Sequence, residues 1–166
     1  MRARDRMLIA AAGVLGPVWI RHRRGVYREV GAPIGGEDAR VLARYFSAPV
    51  LACVRVAVVE RVEEAWVFEV MRAVGARLPV EMGTVSGMAF GDAVVLARGA
   101  GLSTLFHEMV HVVQYRALGL GGFAREYVKG WVESGSYEGI ALERVVFEMQ
   151  RRFDLGEEFE VEEEIV

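Results

Sequence analysis

The segment STLFHEMVHVVQY, residues 103–115, constrains the fold of this chain most, because it places ionisable side chains inside an apolar run. His107, Glu108 and His111 are surrounded by leucine, phenylalanine, methionine and valine, a pattern that predicts a helix buried on nearly all sides. Burying a polar group without a partner costs roughly 2–7 kcal/mol, and burying a charge costs more. The fold must therefore supply a partner for these three side chains.

The spacing of the two histidines indicates a metal ion as that partner. His107 and His111 are four residues apart, so a helix projects both imidazoles from one face. With Glu108 they form the pattern H-E-x-x-H, in which the histidines bind one zinc ion and the glutamate is the general base toward its water. Because Cys53 is the one cysteine of the chain, a cysteine-based zinc site and an internal disulfide are excluded.

A catalytic zinc site needs a third protein ligand, which we expect to be a carboxylate downstream. The third histidine of the longer pattern H-E-x-x-H-x-x-G-x-x-H is missing, since Ala117 stands at its position. The candidates are Glu126, Glu133, Glu138, Glu143 and Glu148. Glu143 is preferred, because its helical neighbours are apolar and a carboxylate among them needs an explanation. Glu138, expected in the first turn of the third helix, is the alternative.

The rest of the chain predicts short strands and helices. The predicted elements are a helix over residues 37–46, a strand within PVLACVRVAVVERV (49–62), a helix over 63–79, two strands within 80–99, and helices over 121–134 and 136–153. The two strands join at a turn near Gly91-Asp92. The H-E-x-x-H helix starts after Ser103 or Thr104 as its cap and ends before Gly119.

This order predicts an α+β fold in a single domain, residues 1–166. We expect a short mixed or antiparallel sheet packed on the H-E-x-x-H helix and on further C-terminal helices. The core spans residues 37–153, after a basic and apolar extension (1–36) and before an acidic tail (154–166).

The two ends of the chain carry opposite charge. Residues 1–30 contain seven arginines and two acidic residues, a net charge of +5, whereas residues 154–166 contain seven acidic residues and no base. The tail alternates Phe159 and Val161 with glutamates, which predicts a half-exposed strand. The whole chain has a net charge of −3, which argues against a nucleic-acid partner.

The apolar run MLIAAAGVLGPVWI, residues 7–20, is shorter than the roughly 20 residues of a membrane span, and Pro17 interrupts it. No small-residue cleavage site follows it, which argues against a signal peptide. We therefore predict a core or interface helix in a cytoplasmic protein. A peripheral membrane contact and a homo-oligomer are the alternatives.

Side-chain amides are rare in this chain. It has no asparagine, two glutamines, and 19 arginines against one lysine. Few thermolabile amides are typical of a thermophilic protein, although a GC-rich genome gives the same arginine bias.

Over residues 84–150 the chain resembles the zincin metallopeptidases of the gluzincin type, in which a glutamate on a later helix completes H-E-x-x-H. The segments LSTLFHEMVHVVQYRALG and GSYEGIALERVVFE are also similar to a group of small bacterial proteins. The resemblance implies His107, His111 and Glu143 as zinc ligands, Glu108 as general base, and GMAFGDAVVLARG as the edge strand that pairs with an extended substrate. Well-studied gluzincins carry a further subdomain that closes the cleft, and we expect that little of residues 1–166 remains to build one.

Two hypotheses for the function follow. The first is zinc-dependent hydrolysis of peptide bonds in a peptide or protein substrate, with Tyr137 as a second electrophile for the oxyanion and Tyr115 as its alternative. The second is a catalytically weak or inactive metal-binding module, in which the ion serves folding or partner binding through a closed coordination sphere.

Overall fold

The computed structural model describes residues 2–62 and 85–165, and it confirms the predicted α+β class. In chain order the elements are α1 (Ala3–Val30), α2 (Gly36–Leu42), α3 (Ala48–Cys53), β1 (Arg55–Val59), β2 (Gly87–Phe90), β3 (Ala93–Ala97), α4 (Leu102–Ser134), α5 (Ala141–Asp154) and α6 (Val161–Glu164). The helix predicted over residues 63–79 lies outside the described residues.

The described strands form one mixed sheet in the order β1-β3-β2. Strand β1 runs parallel to β3, and β2 runs antiparallel to it as the partner in a hairpin. Gly91 in the hairpin turn has a φ of +67°, a left-handed conformation that glycine adopts without strain. The predicted turn at Gly91-Asp92 and the predicted mixed sheet are therefore confirmed.

The single strand predicted within residues 49–62 is wrong in its first half. Residues Ala48–Cys53 form α3, and β1 begins at Arg55. Pro49 lies in the first turn of α3, where its missing N–H costs no hydrogen bond and its fixed φ favours a helix start. The apolar run continues through both elements, so its pattern does not mark the boundary. Helix α2 also ends earlier than predicted, at Leu42.

Helix α4 consists of two helical segments that meet at Gly119. This glycine has φ 66° and ψ 167°, a backbone conformation that is not helical and that other residues rarely adopt. The predicted helix end before Gly119 and the predicted second helix are thus confirmed. We call the segment of residues 102–118 α4N and the segment of residues 120–134 α4C.

The starts of two helices differ from the prediction. Gly101 occupies the N-cap position of α4N, so Leu102 is its first residue and neither Ser103 nor Thr104 is the cap. The last of the three long C-terminal helices begins later than predicted, at Ala141. Helix ends depend on cap geometry, which the apolar period does not encode.

The hydrophobic core lies between the sheet and α4N. Phe106, Val110 and Val112 from α4N and Val94 and Val95 from β3 are all completely inaccessible to solvent. They belong to one continuous cluster of buried side chains. The H-E-x-x-H segment is therefore buried on nearly all sides, as its composition predicts.

Helix α1 packs on both the hairpin and α4C. The rings of Trp19 and Tyr27 lie 5.2 and 5.5 Å from the ring of Phe90. A Cβ at Gly121 would lie 3.0 Å from the backbone oxygen of Gly13, so the two helices approach closely where both residues lack a side chain.

Two arginines of α1 bind the hairpin turn. Arg24 donates to both carboxylate oxygens of Asp92 at 2.5 and 2.7 Å, and Arg28 lies 2.8 Å from the second oxygen. Burial alone would raise the pKa of Asp92, but the hydrogen bonds and charges of the two arginines outweigh it and lower the pKa below its ordinary value. This ion pair holds the second half of α1 on the sheet.

The outer face of α1 carries exposed apolar side chains. Met7, Val14 and Val18 are 73, 71 and 62 % exposed. The apolar run of residues 7–20 is thus divided between a packed face and an exposed face. None of the helices in the described ranges combines the length and the apolar character needed to cross a membrane.

The acidic tail folds back onto the core, and the strand predicted for it is wrong. Residues Val161–Glu164 form the single turn α6, and Val161 is completely buried. The ring of Phe159 lies 4.0 Å from the guanidinium of Arg152, which also pairs with Glu164 at 2.6 Å. The alternation therefore marks Phe159 and Val161 as the packed residues, while the chain from Val161 onward forms a helical turn instead of a strand.

Candidate metal centre

His107 and His111 project from one side of α4N into the interior. Their ring centroids lie 5.1 Å apart, and the two residues are only 8 and 5 % exposed. A helix places residues four apart on the same side, so this part of the geometry follows from the sequence spacing. Both imidazoles then need partners, because a buried polar group without one is costly.

Glu143 approaches the two histidines from α5. It lies in the first turn of this helix and is 1 % exposed. Nε2 of His107 lies 3.4 Å from its Oε2, and Nε2 of His111 lies 3.4 Å from its Oε1. The buried Val146 and Met149 hold α5 against the core to which α4N belongs. The packing of the two helices thus brings together three side chains that can hold a metal ion.

The other candidate carboxylates lie away from this cluster. Glu138 is exposed in the turn before α5, so its expected position in the first turn of the helix is wrong. Glu126 and Glu148 each pair with a basic residue three positions further along the same helix, at 3.3 and 2.7 Å. Glu133 is exposed. The described cluster contains Glu143 and not these four residues.

Hydrogen bonds determine which imidazole nitrogens face the carboxylate. Nδ1 of His107 lies 2.9 Å from Oε1 of Gln150, and Nδ1 of His111 lies 2.9 Å from Oε1 of Gln114. An amide oxygen only accepts, so each Nδ1 carries a hydrogen, and each Nε2 of a neutral imidazole presents a lone pair. These lone pairs point at Glu143, whose buried Oε2 has no hydrogen-bond donor among the described residues. A cation between them would satisfy all these atoms.

The distances in the cluster fit a small divalent ion. Zinc lies about 2.0–2.1 Å from imidazole nitrogen and carboxylate oxygen, so two ligand atoms of a tetrahedral ion are roughly 3.3–3.4 Å apart. Each histidine Nε2 lies 3.4 Å from a different oxygen of Glu143, and one ligand atom of each of the three residues lies within 4.8 Å of the others. A charge-assisted hydrogen bond would be shorter, at about 2.7–2.9 Å.

The electrostatics of the cluster also favour a positive charge beside Glu143. For Glu143, burial would raise the pKa, but positive charge on His111 and His107, each 3.4 Å away, outweighs it and brings the pKa well below the usual range. For His111, burial would lower the pKa, but the charge and hydrogen bond of Glu143 raise it to about 9. A divalent ion bound at Nε2 of His111 would take the place of a proton there and supply the positive charge beside Glu143.

Glu108 lies beside the cluster and packs against β2. It is buried, and burial raises its pKa, although a hydrogen bond with the backbone of Ala89 partly offsets this effect. A Cβ at Gly87 would lie 2.9 Å from the Glu108 side chain, so only glycine there lets the carboxyl group approach the strand. A carboxylate whose pKa is raised is a stronger base than an ordinary carboxylate, so it is suited to accept a proton.

Three tyrosines surround the cluster. The hydroxyl of Tyr127 donates to Oε1 of Glu143 at 2.7 Å. Tyr137 is half-buried in the turn before α5, where burial and the charge of Glu143 raise its pKa, so its hydroxyl keeps its proton. Tyr115 is buried, with its ring stacked 3.8 Å from the ring of Phe123. Tyr127 fixes the carboxylate, and Tyr137 offers a neutral donor close to it.

Three residues that contact the cluster are not among the site residues predicted from the sequence: Tyr127, Gln114 and Gln150. Tyr127 lies four residues after Phe123 and four before Trp131, a spacing typical of an apolar helix face. The sequence pattern therefore marks it as a core residue and not as a contact of the metal ligands. Gln114 and Gln150 gave one signal that pattern analysis overlooks, because they are the only side-chain amides in the chain.

Aromatic rings form the walls around the two imidazoles. The ring of Phe147 lies 5.2 Å from that of His107, and the ring of Phe123 lies 5.8 Å from that of His111. Tyr137 extends this wall, with its ring 5.9 Å from Phe147. Apolar walls limit the access of water and strengthen electrostatic interactions inside the cluster.

We find no protein-family model, curated protein or solved structure that matches this chain. The metal centre therefore rests on the geometry of this chain alone, and the similarity to the zincins remains an expectation from its motifs. What the structure adds is the convergence of His107, His111 and Glu143 into one buried cluster that can hold a metal ion.

Proposed function

We propose that the protein is a zinc-dependent hydrolase of peptide bonds, with His107, His111 and Glu143 as the metal ligands. The observation that carries the proposal is the convergence of two Nε2 atoms on one buried carboxylate, with a second buried carboxyl group beside them. Two histidines and a glutamate form a ligand set of catalytic zinc, with the fourth position open. Among the described residues the cluster has these three ligands.

Zinc bound here would polarise the scissile carbonyl and lower the pKa of its water ligand toward about 7. The chain's own residues prepare the site for this chemistry. Tyr127 holds Glu143 through a 2.7 Å hydrogen bond, and the rings of Phe147 and Phe123 lie against the two imidazoles.

Glu108 is the proposed general base. Its burial raises its pKa above the ordinary value of a carboxyl group, which favours proton exchange. Its carboxylate would take a proton from the attacking water and deliver it to the nitrogen of the leaving amine. Contact with Gly87 and Ala89 holds the carboxylate at β2, between the strand and the metal ligands.

The position of β2 supports an extended peptide as the substrate. Strand β2 lies at one end of the described sheet. The N–H of Ala97 donates to the carbonyl of Ser86, so Ser86 and every second residue after it bond to β3. Gly87 and Ala89 consequently direct their backbone groups away from β3. A peptide that adds to this edge by strand pairing would lie next to Glu108.

Tyr137 is the proposed donor to the oxyanion of the tetrahedral intermediate. Its hydroxyl is neutral because burial and Glu143 raise its pKa, so it can donate a hydrogen bond. Tyr115 is less suited, because its ring is buried and stacked on Phe123. Loss of one such donor lowers kcat by about 10²–10³, which is the effect we expect for Tyr137→Phe.

The test of the proposed function is the variant Glu108→Gln, which keeps the size of the side chain and removes the base. We expect it to bind one zinc ion as the wild type does and to leave a peptide library uncleaved. Glu148→Gln is the matched control, since Glu148 is exposed on α5 and pairs only with Arg151 in the described structure. Cleavage by Glu108→Gln at the wild-type rate would refute the assignment of the base.

The second candidate function is a metal-binding module without catalysis. The burial of all three ligands favours it, because access for a large substrate must pass the aromatic walls. In this case the ion would stabilise the packing of α5 on α4N. Spectroscopy of a cobalt-substituted protein separates the two, since catalysis requires an exchangeable water in the fourth position and a structural site has a fourth protein ligand.

A further inference from the structure

Both glutamines of the protein lie at the metal centre. The chain has no asparagine and only Gln114 and Gln150 as side-chain amides, and each lies 2.9 Å from Nδ1 of one candidate ligand. A sequence that otherwise lacks amides therefore keeps one beside His107 and one beside His111. This pairing points to a function of the amide group itself.

The hydrogen bonds of each glutamine NH₂ group determine which way the amide is oriented. Nε2 of Gln114 donates to the backbone carbonyl of Leu142 at 3.0 Å. Nε2 of Gln150 donates to the carbonyl and the hydroxyl of Ser103 at 3.3 and 2.9 Å. Since a carbonyl oxygen only accepts, the NH₂ group must lie on that side and the amide oxygen must face the histidine. Both imidazoles therefore meet an acceptor at Nδ1.

We propose that Gln114 and Gln150 are positioning residues that keep both histidines in the Nδ1–H form and reserve both Nε2 atoms for the divalent ion. The inference rests on the metal site of the proposed function. A partner that accepts from the second nitrogen of a ligating histidine fixes both its tautomer and its ring orientation. In this protein the partner is a neutral amide at both histidines.

The two glutamines also connect the helices that supply the ligands, and they do so in opposite directions. Gln114 lies on α4N and reaches the backbone of α5, whereas Gln150 lies on α5 and reaches the start of α4N at Ser103. Each amide thus holds a histidine and the neighbouring helix with one planar group. A shift of α5 along α4N would break both amide contacts together.

The neutrality of the amides matters because the centre already contains two carboxyl groups, Glu108 and Glu143. A carboxylate at position 114, which is buried, would add a third negative charge to a closed space, whereas position 150 is half-buried. At position 114 it would also place an oxygen against the carbonyl of Leu142, which can only accept. An amide fixes the histidine without either cost.

The variant Gln150→Leu tests the proposal by zinc affinity, measured by competition with a chelator. It removes the acceptor for His107 and puts an apolar side chain of similar size at this half-buried position. Loss of such a partner weakens metal binding by about 10–100-fold, and we expect a loss in this range. Gln150→Glu keeps an acceptor, and the Ser103 hydroxyl can turn to donate to it, so binding should return to nearly the wild-type value.

Glu148→Gln, on the same helix and exposed, should leave the zinc affinity unchanged. An unchanged affinity in Gln150→Leu, or a loss in Gln150→Glu as large as in Gln150→Leu, would overturn the positioning role.

A second measurement needs no variant. Nitrogen-15 NMR of the zinc-loaded wild type should show protonated Nδ1 and metal-bound Nε2 on both His107 and His111. Coordination through Nδ1 of either residue would overturn the proposal. Zinc binding through both Nε2 atoms without peptide cleavage would refute the proposed function and leave this inference standing, whereas a wild type that binds no zinc would overturn both.

Discussion

Segment α4N buries His107, Glu108 and His111, whereas α1 exposes Met7 and Val14, so the two helices depart from the usual placement of side chains in opposite directions. The departure in α4N would be costly without compensation, because each buried polar group needs a partner. The departure in α1 is cheap, because much of any protein surface is apolar. Buried polar groups therefore carry more information about function than exposed apolar ones.

The partners found for the two helices agree with this difference. Each of the three buried ionisable side chains of α4N has a specific contact: a glutamine for each imidazole and strand β2 for Glu108. The exposed side of α1 has no comparable set of directed contacts in the described ranges, and this helix is held from its other side by Asp92 and the ring of Phe90. The predictions below test whether the two helices differ energetically as they do structurally.

The largest effect is expected for Phe106→Ala in α4N. Phe106 is completely buried and its ring stacks 4.3 Å from that of Phe153. Truncating a buried phenylalanine costs about 3–5 kcal/mol, because it loses burial and leaves a cavity. Chemical denaturation measures this loss. A cost below about 1 kcal/mol would show that the core around the metal centre is loosely packed.

The next effect is the loss of zinc in Glu143→Ala. Removing a metal ligand should lower the zinc affinity by more than the roughly 100-fold that is lost when a residue holding a ligand is removed. Metal analysis of the purified protein measures the loss. Glu138→Ala and Glu148→Ala are matched controls, because both residues are exposed carboxylates near or on the same helix. Full zinc content in Glu143→Ala, or its loss in Glu138→Ala, would contradict the assigned ligand set.

A smaller effect is expected for Asp92→Asn, which weakens the attachment of α1 to the hairpin. Because the folded-state pKa of Asp92 is lowered, the ion pair contributes stability above its unfolded pKa of about 3.9 and loses it as pH falls through the folded value. Solvent still screens this partly exposed pair, so we expect a cost of no more than about 1 kcal/mol at neutral pH.

This cost should disappear near pH 2, where wild type and Asp92→Asn should denature alike. Glu60→Gln provides the control, since Glu60 pairs with Arg98 at a highly exposed position and should change stability little at any pH. A cost for Asp92→Asn that persists in acid would show that charge is not its cause.

The smallest effect is expected for Val14→Ser on the outer face of α1. Exposed substitutions usually change stability by less than about 0.5 kcal/mol, and thermal unfolding at two protein concentrations measures the change. A loss above about 1 kcal/mol would show that this face is covered in solution, and the comparison between the two helices would then fail.

Much of the local structure was predictable because neighbouring residues encode it. The i, i+4 histidines, the turn at Gly91-Asp92 and the break at Gly119 each depend on a few adjacent residues. The boundary between α3 and β1 was not predictable from the apolar pattern, because the apolar run begins in α3 and continues into β1. There the proline in the first turn favours a helix, and pairing with β3 sets the extent of the strand.

The sequence by itself determined that this chain needs a partner for two histidines and a glutamate in an apolar helix, because their spacing and surroundings are local. Only the tertiary structure decided between Glu143 and Glu138 and supplied Tyr127, Gln114 and Gln150, since these contacts depend on how α5 packs on α4. The contact between His107 and Gln150 joins positions 43 residues apart. The periodicity of a helix specifies which face is buried, but not which distant side chain will meet it there.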